Sequence, residues 1–221
     1  MTDSTAFDNP SAAQLARALH DGDEALAREL IAGGANPNAQ DEAGLPLLQW
    51  TMLRDDRAAF RRLLALGADP ARGNGDGQTA LHLAAMGRDT FWLDTLLAHG
   101  MAPDQPNTVT GAPPLIDALR ARLPRNVERL LDAGARLDVA DRNGTTPLHQ
   151  AAAVNDLPMT LRLLEAGADP RATDTTGATF QDYLFDGDPA LLNVEARRSL
   201  DGIGAVLRRK GVAVSATALQ D

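Results

Sequence analysis

Two series of glycines run through the chain on a single period. One falls at Gly44, Gly77, Gly111, Gly144 and Gly177, the other at Gly34, Gly67, Gly100, Gly134 and Gly167. Neighbours within a series are 33 or 34 residues apart, and Gly44 to Gly67, like Gly144 to Gly167, is always 23. Two lattices with one period mean a stack of one supersecondary unit. In such a stack no unit buries its apolar face alone, and each completes its neighbour's core. A period of 33 to 34 residues leaves two kinds of helix-pair repeat. The glycines suit two places in such a unit that need left-handed backbone: a tight turn and the position just past a helix.

The residues between the glycines repeat too. Residues 141–169 read DRNGTTPLHQAAAVNDLPMTLRLLEAGAD, and residues 74–100 read NGDGQTALHLAAMGRDTFWLDTLLAHG. Asp141 or Asn74 opens a tight turn, and Gly144 or Gly77 supplies its left-handed position. Thr146–Pro147 starts a first helix, where proline's missing N–H costs nothing. His149 follows Thr146 by three residues and shares its helix face. Ala151 and Ala152 let paired helices approach, Leu163 and Leu164 form the buried stripe of the second helix, and Gly167 ends it.

This pattern resembles the ankyrin repeat rather than the tetratricopeptide repeat, over roughly residues 11–211. The resemblance implies an all-α solenoid of helix–turn–helix units joined by short β-hairpin loops. It implies a Thr–His pair that hydrogen-bonds and ties neighbouring hairpins. Six units are expected, at about 11–40, 41–73, 74–107, 108–140, 141–173 and 174–212, within one domain over 9–212. The first and last units are degenerate caps, with Asn9 as N-cap and Pro10 as first helical residue of the first. The last carries about 11 inserted residues, roughly FDGDPALLNVE, and residues 1–8 and 213–221 are expected to be disordered tails. Units two and four depart from the pattern. Pro46 and Gln49, and Pro113 and Ile116, replace Thr and His, which removes the Thr–His bond from both. Unit four also holds the extra residue.

Composition narrows the chemistry. No cysteine is present, which excludes disulfides, thiolate metal sites and cysteine nucleophiles. A net charge of −9, with Lys210 the single lysine, speaks against general nucleic-acid binding. Only 4% of residues are aromatic, so the core must be aliphatic. The opening MTDSTAFDNP has neither the basic nor the apolar region of a secretory signal, and no apolar run is long enough to span a membrane. His82 and His149 hold the motif position, whereas His20 and His99 read as surface. GNGDG (73–77) lacks the following Lys–Ser/Thr of a phosphate loop and lies on the hairpin lattice. No serine sits in a nucleophile elbow. No catalytic residue, cofactor or metal is predicted, and the chain is read as a non-enzyme. Trp92 is assigned to the core, and Trp50 to the core or to the exposed face beside it.

Ankyrin arrays bind through hairpin tips and the exposed ends of first helices, which line the concave side. By position this implies a partner-binding set of Glu42, Leu45, Trp50, Leu53, Arg54, Asp76, Gln78, Met86, Val109, Arg120, Arg142 and Asn143. Apolar groups mixed with arginines suit a protein interface. The expectation is one protein partner bound by a cytoplasmic monomer acting as adaptor or regulator, with no nucleic acid and no membrane. GLPLLQW and TFQDYLF also resemble bacterial ankyrin proteins that accompany secreted toxins or lipases, which implies an immunity or inhibitor role as the alternative. A basic last helix (Arg197, Arg198, Arg208, Arg209, Lys210) is a second candidate surface.

Overall fold

The computed structural model describes residues 7, 9–184 and 192–215. The chain divides into two compact units, 1–109 and 110–221, with the boundary inside the fourth hairpin. In the first unit the helices are α1 (Pro10–Asp21), α2 (Glu24–Ala32), α3 (Leu47–Leu53), α4 (Arg57–Ala65), α5 (Ala80–Met86) and α6 (Phe91–Ala98). The second holds α7 (Pro114–Arg120), α8 (Pro124–Asp132), α9 (Pro147–Ala153), α10 (Leu157–Glu165) and α11 (Val194–Arg209). A 3-10 turn, Phe180–Tyr183, stands where the last unit would begin its first helix. The expected insertion falls largely at 185–191, outside the described residues, as do the tail positions 1–6, 8 and 216–221.

Local chemistry starts and stops these helices. Asn9 caps α1 by accepting from the Ser11 amide at 2.9 Å, with Pro10 as first helical residue. Asp23, Asp56 and Asp156 cap α2, α4 and α10 through the amides of Leu26, Ala59 and Met159. In α9 the Thr146 hydroxyl lies 2.8 Å from His149 Nδ1, and Thr79 and His82 repeat that pair in α5 at 2.8 Å. In the last unit Asp182 replaces the histidine, and the Thr179 hydroxyl donates to it at 3.0 Å.

The two glycine series have different physical grounds. Gly44, Gly77, Gly111, Gly144 and Gly177 all adopt φ between 75° and 84°, and Gly34, Gly67, Gly100, Gly134 and Gly167 lie between 88° and 105°. At Gly144 a Cβ would also meet Asp174 Cα at 2.9 Å, because the neighbouring hairpin backbone runs against it. At Gly167 a Cβ would meet nothing within 4 Å, so conformation alone requires glycine there.

The hairpins are turns rather than strand pairs. Among the described residues no strand forms, and the sole bridge joins Gln40 to Pro46. Asp141 N–H donates to Thr145 O at 3.1 Å, and Asp141 Oδ1 accepts from the amides of Asn143 and Thr145 at 2.8 and 2.9 Å. Asp41, Asn74 and Asp174 act alike in their own turns.

Each core is aliphatic, as the composition requires. In the first unit Leu15, Leu47, Phe60, Leu63, Leu81 and Leu93 are fully buried. Trp92 is buried there, edge-on to Phe60 at 5.0 Å. In the second unit Leu115, Ile116, Leu130, Leu163 and Ile203 are fully buried, and Leu148 is 1% exposed.

Candidate functional site

The exposed side of each unit is built from hairpin tips and first-helix ends. In the first unit Glu42, Leu53, Arg54, Asp76 and Val109 are exposed, and Leu45, Trp50, Gln78 and Met86 are half-buried. Leu53 and Val109 are 68% and 53% exposed. In the second unit Arg120, Arg142 and Asn143 are exposed.

The tips commit their backbone internally. Thr108 N–H donates to Gly77 O at 3.0 Å, and Asn107 Nδ2 donates to Asp76 O at 3.2 Å. In the second unit Arg142 N–H donates to Thr110 O and Thr175 N–H to Asn143 O, both at 2.9 Å. Side chains therefore make up most of what the tips offer outward. His149 Nε2 reaches Ala178 O at 3.2 Å and holds the next hairpin to its helix. Unit two lacks that histidine, yet Gln49 Nε2 donates to Gln78 O at 2.8 Å and to Arg72 O at 3.1 Å. The tie between neighbours survives the loss of the Thr–His pair.

Trp50 is half-buried, between core and surface. Its ring meets the edge of Phe7 at 5.9 Å, and the Arg54 guanidinium lies 4.8 Å from its centroid. Phe7 belongs to the stretch 1–8 read as a tail, but it is only 4% exposed. At the other end Gln181 Nε2 donates to Ala213 O at 3.0 Å and Gln181 Oε1 accepts from Ser215 N–H at 2.9 Å. His20 bonds Asp56 at 2.7 Å. His99 is the exposed C-cap of α6. Lys210 Nζ donates to Ala168 O at 3.3 Å, which spends that cation of the basic last helix on a helix end.

Two carboxylates carry strong perturbations that motif reading did not single out. Asp117 on α7 has a side chain only 5% exposed. Burial pushes its pKa from 3.8 up to about 6, against the pull of Arg120, whose Nη1 donates to Asp117 Oδ1 at 3.0 Å. The signal in the sequence was an acid inside the apolar run PLIDALR. Asp174 is held well below the usual carboxylate range by hydrogen bonds from the Tyr183 hydroxyl and from Thr176. Tyr183 also stands edge-on to His149 at 5.9 Å. Among the described residues no group of three or more His, Asp or Glu side chains is placed to hold a metal ion, and no helix is long and apolar enough to cross a membrane.

A model described as ankyrin repeats (3 copies) matches residues 15–107, and one described as ankyrin repeats (many copies) matches residues 130–183. The chain is 41% identical over 152 residues to Protein PhlB of Serratia liquefaciens, covering 67% of this chain and 65% of that protein. It thus spans just under two thirds of that relative's length. The ankyrin repeat domain of Bcl-3, described as a unique member of the IkappaB protein family, superposes with a TM-score of 0.69 at 26% identity, covering 84% of this chain and 80% of that one. An ankyrin repeat domain from Acinetobacter baumannii AYE shares the fold, with a TM-score of 0.68 at 22% identity over 90% of this chain and 98% of the other.

Proposed function

The chain belongs to the ankyrin-repeat family, and from that premise we propose that it is a non-catalytic module that binds one protein partner through its hairpin tips and first-helix ends, as an adaptor or regulator. The observation that carries this reading is the pairing of satisfied tip backbones with exposed apolar side chains. Leu53 is 68% and Val109 53% exposed, and Leu53 is followed in sequence by the exposed Arg54. Such a surface gains affinity by covering apolar area and gains selectivity from its charges. The full set is Glu42, Leu45, Trp50, Leu53, Arg54, Asp76, Gln78, Met86 and Val109 in the first unit, and Arg120, Arg142 and Asn143 in the second.

A second reading, an immunity or inhibitor protein for a secreted toxin or lipase, is favoured by the half-exposed aromatics of the two segments that suggest it. Trp50 lies in GLPLLQW, and Tyr183, 40% exposed, lies in TFQDYLF. Aromatic anchors at an exposed face suit a tight one-to-one complex, whereas an adaptor holds its partner more weakly.

Affinity capture from native cells, followed by titration of the captured protein, tests the reading. Leu53→Asp with Val109→Asp should abolish binding while the circular dichroism spectrum and melting point stay unchanged. Normal binding by that variant, with loss on changing Arg208, Arg209 and Lys210, would move the site to α11 and overturn the proposal. The stoichiometry and Kd of the complex then separate adaptor from inhibitor.

A further inference from the structure

Arg28 and Arg61 hold the same motif position, 33 residues apart, in α2 and α4. Later units place Asp94, Glu128 and Leu161 there, so the position is basic only in the first two helix pairs. In the second compact unit Glu128 receives the Arg162 guanidinium of the neighbouring helix as a fork, Nε at 3.2 Å and Nη2 at 2.8 Å. Arg61 has no such carboxylate. Its guanidinium lies instead over the ring of Phe91 on α6, 4.7 Å from the centroid. That ring is held in place: it stands edge-on to Trp92 at 4.8 Å, and Trp92 stands edge-on to the fully buried Phe60. Arg57 covers the same ring at 4.7 Å, but its N–H groups go to Asp55 and Asp89. Glu24 is paired with Arg62 at 3.7 Å. Among the described residues neither Arg28 nor Arg61 makes an ion pair. Beside them, at the C-terminal ends of α2 and α4, runs an open groove of about 520 Å³. Arg28, Ile31 and Ala32 line it from α2, and Ala65, Leu66 and Gly67 from the end of α4.

We infer that this face docks an amphipathic helix of a partner protein, with an aliphatic side chain in the groove and a glutamate on Arg61, whose guanidinium Phe91 holds in position. Stacking covers the face of the guanidinium and leaves its in-plane N–H groups open. It also removes rotamer freedom in advance, so a carboxylate that takes two of those N–H groups orders less on binding. The fork suits a carboxylate, as Arg162 and Glu128 already show in the same chain. A net charge of −9 disfavours a phosphate polymer in that place. Spacing selects the helix. Ala65 follows Arg61 by one turn on the same side of α4. A partner helix that carries its apolar and acidic residues four apart presents them at that same rise of about 5.4 Å. All these residues lie on second helices or their ends, so the surface is separate from the hairpin tips and first-helix ends proposed above.

The probe is an alanine-based helical peptide with leucine and glutamate four residues apart. It is titrated into the full chain and followed by NMR at the Arg61 Nε–H and at the methyl groups of Ile31 and Leu66. All three should shift together. The same peptide with glutamine for glutamate should bind about threefold to tenfold more weakly. Arg61→Gln should weaken the original peptide by a like factor and no longer distinguish the two. Phe91→Leu, which keeps apolar bulk but removes the ring, should weaken it about twofold to fivefold. Leu53→Asp with Val109→Asp should bind the peptide as wild type does, so a failure of the hairpin-tip surface and a failure of this one are distinguishable. Arg61→Gln changes only an exposed side chain, so the test stands even where Phe91→Leu disturbs the fold. No shift at Arg61, or equal binding of the glutamate and glutamine peptides, overturns the inference. So does a stronger Arg61 response to single-stranded DNA or to phosphatidylglycerol vesicles than to the peptide, which would assign the guanidinium to phosphate.

Discussion

Gln49 and Gln78 are joined by a 2.8 Å bond from side-chain amide to backbone carbonyl. It is the counterpart, earlier in the array, of the 3.2 Å contact between His149 Nε2 and Ala178 O. The first helix of one unit grips the hairpin of the next through the same carbonyl, with a different residue supplying the N–H. The substitution leaves one debt. Pro46 stands where a threonine hydroxyl would meet the histidine, and Gln49 Oε1 is buried with no hydrogen-bond partner.

Two opposite outcomes are expected at that pair. Gln49→Leu should cost about 1–2 kcal/mol, because it strips two part-buried carbonyls of their donor. Pro46→Thr should gain up to about 1 kcal/mol by offering Oε1 a hydroxyl. Urea denaturation measures both, and a neutral Gln49→Leu would show that the amide carries no load.

The glycine lattices should respond unequally to alanine. Gly167→Ala should cost about 1–2 kcal/mol, the price of left-handed backbone for a residue with a Cβ. Gly144→Ala should cost clearly more, since its Cβ would also sit 2.9 Å from Asp174 Cα and 3.0 Å from the Thr175 amide. Equal losses in thermal melts would mean that the hairpins separate freely.

Asp117 should make stability fall as pH rises. Its folded pKa, about 6, lies above its ordinary 3.8, so between these values the folded chain binds the extra proton. Stability is then full below about pH 4, declines through pH 6 and stays lower above, by about 2–3 kcal/mol. Asp117→Asn should flatten that slope and stabilise the chain by about 1–2 kcal/mol at neutral pH, since the exposed Arg120 partner loses little. The check is a set of urea midpoints from pH 4 to 8. A variant that keeps the wild-type slope would assign it to another group.

The fourth hairpin should depend on Asn107. Thr108 stands where other turns have Asp or Asn, and Asn107 Oδ1 accepts the Val109 amide in its place at 2.8 Å. Its Nδ2 also bonds Asp76 O at 3.2 Å. Hydrogen exchange in wild type should therefore be only modestly faster at 107–113 than at 141–149, and Asn107→Ala should widen the gap about tenfold or more, a loss of about 1.4 kcal/mol or more in local opening energy. An unchanged exchange rate would exclude that role.

Period, motif and composition carried the helix pairs, the caps, both glycine conformations and the buried leucines. Each follows from local geometry: a left-handed turn, a first-turn amide, a 3.6-residue stripe. The same logic placed Leu53 and Arg54 on an exposed helix end. It did not reach Gln49, whose amide reproduces a histidine's bond only because a carbonyl from the next unit lies within 2.8 Å. Nor did it reach Asp117, whose pKa depends on how completely the neighbouring helices exclude water. Phe7 is the clearest case. It stands outside the repeat pattern, ahead of the first helix, and its partner Trp50 lies in another helix pair. Contacts between units are set by three-dimensional proximity, and a one-dimensional pattern records only the residues that repeat.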